Sequence, residues 1–253
     1  MNILTIDVGN TNIFICLFDK EKPIQFVKIR NTEITKTMLK KHLLIKNRKN
    51  SFINIIISSV VPSISEVIID FLKTYKIKFY LVKNLIKTLD IKINIKNKKK
   101  IGEDRIVNAY YAKKKYLKNL IVIDFGTATT FDVIDSKGNY DGGIITPGID
   151  LSLKVLSEKT AKLPLVKFAK TKNVIGRDTK SAIQSGFFWG YVSMIQGLVK
   201  NISREKKNSF RVILTGGNCD IFNSFIENVI VSDDLFNSKG LNFIINEYLK
   251  NEY

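Results

Sequence analysis

Histidine and cysteine are nearly absent from this sequence. The 253 residues include one histidine, His42, and two cysteines, Cys16 and Cys219, without the spacing of a Cys/His metal site. This scarcity argues against a zinc enzyme or a histidine-rich metal centre. Two cysteines suit a reducing compartment, and His42 is interpreted as a surface histidine or one with satisfied hydrogen bonds.

Long uncharged apolar runs are also scarce. The first residues lack a basic segment and carry Asp7 inside the apolar run, so no signal peptide is predicted. One uncharged window, Ser181–Val199, has the length of a membrane span, but it contains glutamines, serines and glycines. A buried helix is therefore favoured over a membrane span, and we expect a cytoplasmic protein.

Acidic residues are few compared with basic ones. The chain has 41 Lys and Arg against 23 Asp and Glu, a formal net charge of +18. Nucleic-acid binding is one interpretation of such a charge. However, the lysine runs at Lys96–Lys100 and Lys113–Lys115 lack interleaved aromatic residues for base stacking. We therefore favour composition bias and do not expect a nucleic-acid partner; the charge would still attract anionic substrates.

An internal repeat is the most informative feature that is present. Leu4–Phe14 and Ile121–Phe131 each contain an apolar strand ending in Asp, a Gly two residues later, a polar cluster and a second strand. The two copies, at Asp7 and Asp124, lie about half the chain apart. This spacing predicts two domains of similar topology, 1–117 and 118–253.

Strands alternate with helices in the rest of the chain, which indicates an α/β protein. Predicted strands cover Ile53–Val61, Ile77–Val82 and Arg211–Leu214, and predicted helices cover Ser63–Tyr75 and Arg105–Leu117. Ser63 is the predicted N-cap of the first of these helices, with Glu66 as its capping-box partner.

The first copy of the repeat carries the groups of a phosphate-binding turn. Asp7, at the end of a buried strand, can hold Mg²⁺ directly or through water. Gly9 lets the backbone approach a phosphate, and the side chains of Asn10, Thr11 and Asn12 supply hydrogen-bond donors. A plain β-turn is the alternative, but the recurrence of the pattern favours two turns that clamp a polyphosphate.

A third glycine site, Thr215–Asn218, follows a predicted strand. It lets a nucleotide lie against bare backbone, although a structural turn is an equal alternative. The sequence contains no G-x-x-x-x-G-K-[ST] and no strand-associated G-x-G-x-x-G. P-loop and Rossmann nucleotide sites are therefore disfavoured.

These turns together resemble the phosphate- and nucleoside-binding elements of the sugar kinase–actin–chaperone superfamily. Further segments resemble the type III pantothenate kinases: Ser58–Pro62, Gly102–Arg105, Gly142–Gly148, Thr160–Pro164 and Gly176–Thr179. The segments follow in order over nearly the whole chain. The resemblance implies an α/β fold of duplicated actin-like (ribonuclease H-like) domains with a nucleotide cleft between them.

The resemblance also implies an activity and its residues. The activity is ATP-dependent phosphorylation of pantothenate to 4′-phosphopantothenate, the first step of coenzyme A biosynthesis, with Asp104 as the catalytic base. The substrate-binding residues implied are Gly102, Glu103, Asp104, Arg105 and Thr179. The ATP-binding residues implied are Ile6, Asp7, Val8, Gly9, Asn10, Thr11, Asn12, Ile13 and Thr127.

The cofactors implied are ATP, Mg²⁺ and a monovalent cation, K⁺ or NH₄⁺, with Asp124 as the metal ligand. A homodimer is implied as well, because Thr179 matches a residue that reaches pantothenate across the subunit interface. Ala182, Gly186 and Gly190 fall four residues apart on one helix face, which fits close helix approach. A helix buried within one domain is the alternative.

Three positions depart from the family pattern. Ile95 replaces a usual Tyr, Lys98 a usual Pro, and Glu103 a usual Ala, which puts the pantothenate-side contacts in question. The alternatives are another small-molecule kinase of the superfamily and a non-catalytic regulator. The joint presence of Asp7, Asp104 and Asp124 favours an enzyme, since a binding protein has no chemical need for all three.

Overall fold

The computed structural model describes residues 2–45, 53–116 and 118–251. Its strands are β1 (Asn2–Val8), β2 (Asn12–Asp19), β3 (Lys22–Arg30), β4 (Asn54–Ser59), β5 (Phe79–Leu81), β6 (Leu120–Phe125), β7 (Ala128–Ile134), β8 (Tyr140–Pro147), β9 (Arg211–Gly216) and β10 (Val229–Ser232). Its helices are α1 (Lys36–Leu43), α2 (Pro62–Thr74), α3 (Val82–Leu85), α4 (Glu103–Lys115), α5 (Ile149–Glu158), α6 (Thr179–Lys206), α7 (Cys219–Phe222) and α8 (Phe236–Asn251).

The strands form two five-stranded sheets with the same topology. The first sheet has the order β3-β2-β1-β4-β5, and the second has the equivalent order β8-β7-β6-β9-β10. The central strand of each sheet, β1 or β6, pairs antiparallel with the strand that follows it and parallel with a later one. Both central strands are almost continuously apolar, as expected of strands covered on both faces. The predicted α/β fold with duplicated domains is confirmed.

The chain divides into two compact units. One unit comprises Met1–Lys115 with Leu235–Tyr253, and the other comprises Tyr116–Asp234. The predicted second domain, 118–253, had included the C-terminal segment. In the structure α8 packs against α4 and β1, so this segment groups with the first unit. Leu117, the last residue of the predicted first domain, lies outside the described residues.

Two cores cover the two faces of the first sheet. Leu4 and Ile6 of β1 pack into the core that includes residues of α1 and α2, whereas Ile3 packs with residues of α4 and α8. Because side chains alternate along a strand, Asp7 points to the same face as Ile3. The carboxylate at the end of β1 therefore lies on the sheet face that α4 covers.

Two predicted elements differ in detail. Helix α2 begins at Pro62, and Val61 is its N-cap without a side-chain hydrogen bond, so the prediction of Ser63 as N-cap is wrong. Proline in the first turn has no N–H that needs an acceptor and presets the helical φ, which favours Pro62 as the first helical residue. The strand predicted over Ile77–Val82 is shorter, Phe79–Leu81.

The uncharged window Ser181–Val199 lies within α6. One face of this helix is buried through Ile183, Phe188, Val192 and Ile195. The opposite small residues are exposed, and a Cβ atom added at Gly186 or Gly190 would meet nothing within 4 Å. In the part of the chain that the structure describes, no helix combines the length and apolarity of a membrane span.

Candidate active site

The turn between β1 and β2 is held by hydrogen bonds to its carbonyl groups. The N–H of Gly9 donates to the carbonyl of Asn12 at 3.0 Å. The side-chain Nδ2 of Asn31 donates to the carbonyls of Gly9 and Asn10, at 2.9 and 3.0 Å. The backbone N–H of Asn31 donates to the carbonyl of Thr11 at 3.0 Å. The sequence analysis missed Asn31, which follows β3 directly and is brought to the turn by strand pairing.

The end of β4 adjoins this turn. Asp7 pairs in register with Phe14 of β2 and with Ser58 of β4. The N–H of Val60 donates to the carbonyl of Val8 at 3.0 Å, which continues the strand contact past β4. The Ser58 hydroxyl is buried, and its Oγ has no hydrogen-bond partner within the described residues. Asp7 is half-buried, and its register partner Ser58 carries a hydroxyl that can bind a ligand or a water molecule.

Asp104 is the second residue of α4 and is half-buried. Its Oδ1 accepts a hydrogen bond from the N–H of Arg105 at 2.9 Å. Burial raises the pKa of the Asp104 carboxyl, partly offset by this hydrogen bond and by the Arg105 charge. A Cβ atom at Gly102 would overlap the Asp104 carboxylate, so glycine leaves room for the acid. A carboxyl with these properties is suited to accept a proton.

Two side chains hold the start of α4 from outside the helix. Glu103 Oε2 accepts a hydrogen bond from the N–H of Ser59 at 3.3 Å. Asn237 of α8 donates through Nδ2 to the carbonyl of Asp104 at 3.1 Å and to Asn108 Oδ1 at 3.2 Å. Burial raises the pKa of the Glu103 carboxyl, and the Ser59 hydrogen bond opposes that shift. Glu103, a departure from the family pattern, therefore ties α4 to the end of β4.

The other two departures lie upstream of α4. Ile95 is half-buried in an irregular segment, and Lys98 is exposed at the start of the short 3₁₀ turn Lys98–Lys100. The first unit thus contains the predicted site residues of its half: Asp7 with the turn that follows it, and Gly102–Arg105, which Glu103 links to the end of β4.

The turn between β6 and β7 in the second unit is held differently. The N–H of Gly126 donates to the carbonyl of Ala128 at 3.1 Å, as Gly9 does in the first turn. The N–H of Gly148 donates to the carbonyl of Thr127 at 2.9 Å. A Cβ atom at Gly148 would overlap the carbonyl oxygens of Gly126 and Thr127. At the position where Asn31 contributes a side chain to the first turn, Gly148 contributes a backbone N–H to the second.

The Thr215–Asn218 segment lies against the second turn. Thr215 pairs in register with Asp124, and the N–H of Gly217 donates to the carbonyl of Phe125 at 3.2 Å. Gly216 has φ +83°, and a Cβ atom there would lie 2.5 Å from Asp124 Oδ1. Only glycine suits this position, because both the left-handed φ and the closeness of the carboxylate exclude a side chain.

Thr179 lies at the exposed start of α6 in the second unit. The preceding Asp178 caps the helix. Its Oδ1 accepts a hydrogen bond from the N–H of Ser181 at 2.9 Å, and the Ser181 hydroxyl donates to Asp178 Oδ2 at 2.7 Å. These hydrogen bonds lower the pKa of the Asp178 carboxyl. The cap fixes the backbone at Thr179 and leaves its side chain accessible.

The described residues contain no group of three or more His, Cys, Asp and Glu side chains that could hold a metal ion. A cation at Asp7 or Asp124 would consequently take most of its ligands from backbone, hydroxyl, water or phosphate oxygens. Mg²⁺ accepts such a set, because it keeps several waters and binds through one or two carboxylates plus substrate phosphates.

Comparison with known proteins agrees with this arrangement. The family model of the type III pantothenate kinases matches residues 3–201. A type III pantothenate kinase of Persephonella marina is 41% identical over 246 residues, covering 94% of this chain and 96% of the relative. A type III pantothenate kinase of Pelagibacter ubique is 42% identical over 244 residues, with 94% and 96% covered.

A solved structure shows the same fold over the full length. The crystal structure of a "conserved putative Baf family transcriptional activator" from Campylobacter jejuni superposes with a TM-score of 0.63 at 21% identity, covering 98% of this chain and 99% of that one. At this identity the likeness concerns the fold alone. The family model and the full-length relatives carry the assignment: the chain belongs to the type III pantothenate kinase family.

Proposed function

We propose that this protein transfers the γ-phosphoryl group of ATP to the primary hydroxyl of pantothenate, the first step of coenzyme A biosynthesis. The observation that carries the proposal is Asp104, a half-buried carboxyl with a raised pKa. It lies in the same unit as Asp7 and the Gly9–Asn12 turn. Family membership supplies the identity of the acceptor, and a cytoplasmic location is part of the same proposal.

Asp104 acts as the general base in this reaction. The hydroxyl oxygen of pantothenate attacks the γ-phosphorus, the bond from that phosphorus to the ADP oxygen breaks, and the hydroxyl proton passes to the Asp104 carboxylate. A raised pKa makes the carboxylate a stronger proton acceptor than an ordinary aspartate. Arg105 binds the pantothenate carboxylate, for which a guanidinium is well suited. Gly102 and Glu103 shape this part of the site.

The two hairpin turns bind the phosphates of ATP. The first turn contributes Asp7 through Asn12, flanked by Ile6 and Ile13, and the second contributes Thr127. Two features support this role. Each turn directly follows a central strand, β1 or β6, and each accepts a backbone hydrogen bond from the residue after the third strand of its sheet, Asn31 or Gly148. Such gripped turns keep their backbone N–H groups in fixed directions, which favours anion binding.

Cations complete the charge balance. Mg²⁺ fits the first turn, because the Asp7 carboxylate lies beside the buried Ser58 hydroxyl, whose Oγ has no partner within the described chain. A monovalent cation, K⁺ or NH₄⁺, fits Asp124, which borders the bare backbone of Gly216. Bound cations neutralise the negative charge that gathers during phosphoryl transfer. Asp7 and Asp124 are the residues that would hold them.

A homodimer places Thr179 at the pantothenate site of the neighbouring subunit. Exposed apolar surface near the start of α6 in the second unit supports this homodimer. Ser185 donates to the carbonyl of Asn173, and so does Trp189 Nε1 at 3.3 Å, which ties the preceding loop to the helix. In that loop Ile175 is 82% exposed. The glycine face of α6 is open beside it, and a second copy of the chain would cover both.

The activity is tested by ADP release from ATP with pantothenate, compared with a panel of sugars. We expect ADP release with pantothenate and none with the sugars. Release with a sugar and none with pantothenate would identify a different kinase. Binding of ATP without turnover of any acceptor would favour a regulator.

The shared site is tested by mixing two inactive variants, Asp104→Asn and Thr179→Arg. A heterodimer of these chains contains one pocket with neither lesion, so mixing should restore part of the activity. If the chains exchange subunits, as shown by differently tagged copies, and no activity returns, each chain owns a complete site.

A further inference from the structure

Asn31 contacts three successive carbonyl groups of the first turn. Its side-chain Nδ2 donates to Gly9 and Asn10, and its backbone N–H donates to Thr11. We infer that Asn31 is a positioning residue that orients the N–H groups of Asn10 and Thr11 for binding phosphate oxygens. The inference rests on the proposed role of this turn in ATP binding.

Peptide geometry connects the carbonyls to the N–H groups. In a planar trans peptide the N–H points opposite to the C=O of the same unit. The carbonyls of Gly9 and Asn10 both point to the Asn31 amide. The N–H groups of Asn10 and Thr11, which belong to the same two peptide units, are therefore directed away from Asn31. Two successive N–H groups with a common direction form an anion-binding nest.

The orientation of the Asn31 amide follows from its partners. Nδ2 carries two hydrogens and meets two carbonyl oxygens, whereas a flipped amide would place Oδ1 against both of those oxygens. In this orientation Oδ1 is buried and, among the residues described, has no hydrogen-bond partner. Burial of an unpaired acceptor is unfavourable. This unfavourable burial falls on a residue that holds the turn in place.

The second unit shows that this side-chain grip is not required to form the hairpin. Gly148 occupies the position equivalent to Asn31, directly after the third strand, and donates only its backbone N–H to the turn, at Thr127. The hairpin β6–β7 keeps its full register with glycine at this position. The Asn31 amide thus adds to the first turn a constraint on peptide orientation beyond what holds the strands together.

The test measures binding of inorganic triphosphate, which probes the phosphate site without adenosine or pantothenate. By calorimetry we expect Asn31→Ala to raise the Kd for triphosphate about 10- to 100-fold. This is the weakening expected when a backbone N–H of the turn loses its hydrogen bond to a charged phosphate oxygen. Asn31→Gln keeps an amide donor on a longer side chain, and its Kd should lie between those of the wild type and Asn31→Ala.

Asn242 provides a matched control in the same unit. Its Nδ2 donates to the carbonyl of Lys20 at 2.7 Å and thereby ties the turn at the other end of β2 to α8. Asn242→Ala removes the same kind of contact from a turn with no role in phosphate binding. We expect it to lower the melting temperature and to leave the Kd for triphosphate unchanged.

Two further readouts separate positioning from simple stability. In steady-state kinetics Asn31→Ala should raise the KM for ATP while the KM for pantothenate stays within about twofold. In the wild-type protein labelled with ¹⁵N-threonine, the amide resonance of Thr11 should shift when triphosphate is added. That resonance is assigned by its loss in Thr11→Ser.

The outcomes distinguish the inference from the proposed site. If Asn31→Ala melts at a lower temperature but binds triphosphate as the wild type does, Asn31 is merely structural and the inference is wrong. Gly9→Val changes the turn itself, because an added Cβ atom would lie 3.3 Å from the Asn12 carbonyl oxygen before the rest of the side chain is counted. If Gly9→Val also leaves the affinity unchanged, the turn does not bind phosphate, and the site assignment fails with the inference. Should Asn31→Ala fail to fold, the triphosphate affinity of Asn31→Gln and the Thr11 resonance decide between the two outcomes.

Discussion

The two hairpin turns occupy equivalent places in the two sheets but are built from different chemistry. In each, the residue after the third strand donates its N–H to the last turn carbonyl, from Asn31 to Thr11 and from Gly148 to Thr127. The first turn adds a side-chain amide, and the second admits no side chain at that position. The duplicated topology thus keeps the backbone contacts and leaves the side chains free to diverge.

The same contrast holds beside the two carboxylates. Val60 and Gly217 each donate an N–H to the residue that follows the aspartate, Val8 or Phe125. In the first unit this position continues into Pro62 and α2, whereas in the second Gly216 lays bare backbone against Asp124. The second carboxylate therefore lies closer to backbone than a side chain at position 216 would permit.

Two helices extend the comparison. Asp104 is the second residue of α4 and Asn237 the second residue of α8. Both helices belong to the first unit, where the Asn237 amide donates to the Asp104 carbonyl. The backbone carbonyl of the proposed base is therefore held by an amide that does not titrate.

The largest expected effect comes from the carboxylate. Asp104→Asn keeps an acceptor for the Arg105 N–H and removes the base, so kcat should fall about 10²- to 10⁴-fold while ATP still binds. Single-turnover and steady-state phosphorylation of pantothenate measure this loss. Turnover equal to the wild type in the pure variant would exclude Asp104 as the base.

The raised pKa of Asp104 also determines the direction in which stability and activity change with pH. Because folding raises this pKa, ionised Asp104 destabilises the fold at any pH above its unfolded-state pKa, and this destabilisation vanishes below that pKa. At pH 7 the free energy of unfolding of Asp104→Asn should thus equal or exceed that of the wild type, with the difference shrinking as the pH falls toward the ordinary aspartate range. In the wild type kcat/KM should fall as the pH drops through the raised pKa. A denaturation series against pH checks the first statement, and a pH–rate profile the second.

Gly148, which contacts the second turn, and Gly9, which lies in the first, should tolerate an added Cβ atom to different degrees. Gly148→Ala forces a Cβ atom into two backbone carbonyls, so we expect a loss of about 2–4 kcal/mol in the free energy of unfolding. Gly9→Ala meets only the Asn12 carbonyl, at 3.3 Å, and should cost less than about 1 kcal/mol. Urea denaturation measures both. Equal losses would mean that the two turns are equally crowded, contrary to the structure.

The third prediction separates activity from stability at Gly102. Its added Cβ would meet the Asp104 carboxylate, the movable end of a side chain, with little backbone in the way. Gly102→Ala should lower kcat about 10- to 100-fold, since small displacements of a catalytic group are costly, and should leave the melting temperature nearly unchanged. A loss of stability as large as that of Gly148→Ala would show that the carboxylate cannot yield.

Part of this arrangement could be predicted from the sequence. The repeated strand–Asp–x–Gly pattern predicts both central strands and both turns, because short apolar runs and glycine turns are local signals. Asn31 could not be found in this way. Its contacts lie 21 and 22 residues away along the chain and depend on the register of β3 against β2, which no local pattern specifies. The placement of α8 beside α4 is likewise a long-range packing choice.

The smallest expected effect concerns the amide that holds the base. Asn237→Ala removes the hydrogen bonds to the Asp104 carbonyl and to Asn108, and leaves every group that touches substrate in place. Asn237 Oδ1 is buried without a partner in the ranges that the structure covers, so its removal also relieves an unpaired acceptor. We therefore expect a loss of about 1 kcal/mol or less in unfolding free energy and a fall in kcat of about 3- to 10-fold. Asn246→Ala is the matched control, because the Asn246 amide likewise donates to a backbone carbonyl and to a side-chain oxygen, both of Asn242 in α8, and lies away from α4's first turn. If both variants lower kcat alike, α8 supports the first unit only as a scaffold; if Asn237→Ala alone does so, the C-terminal helix positions the base.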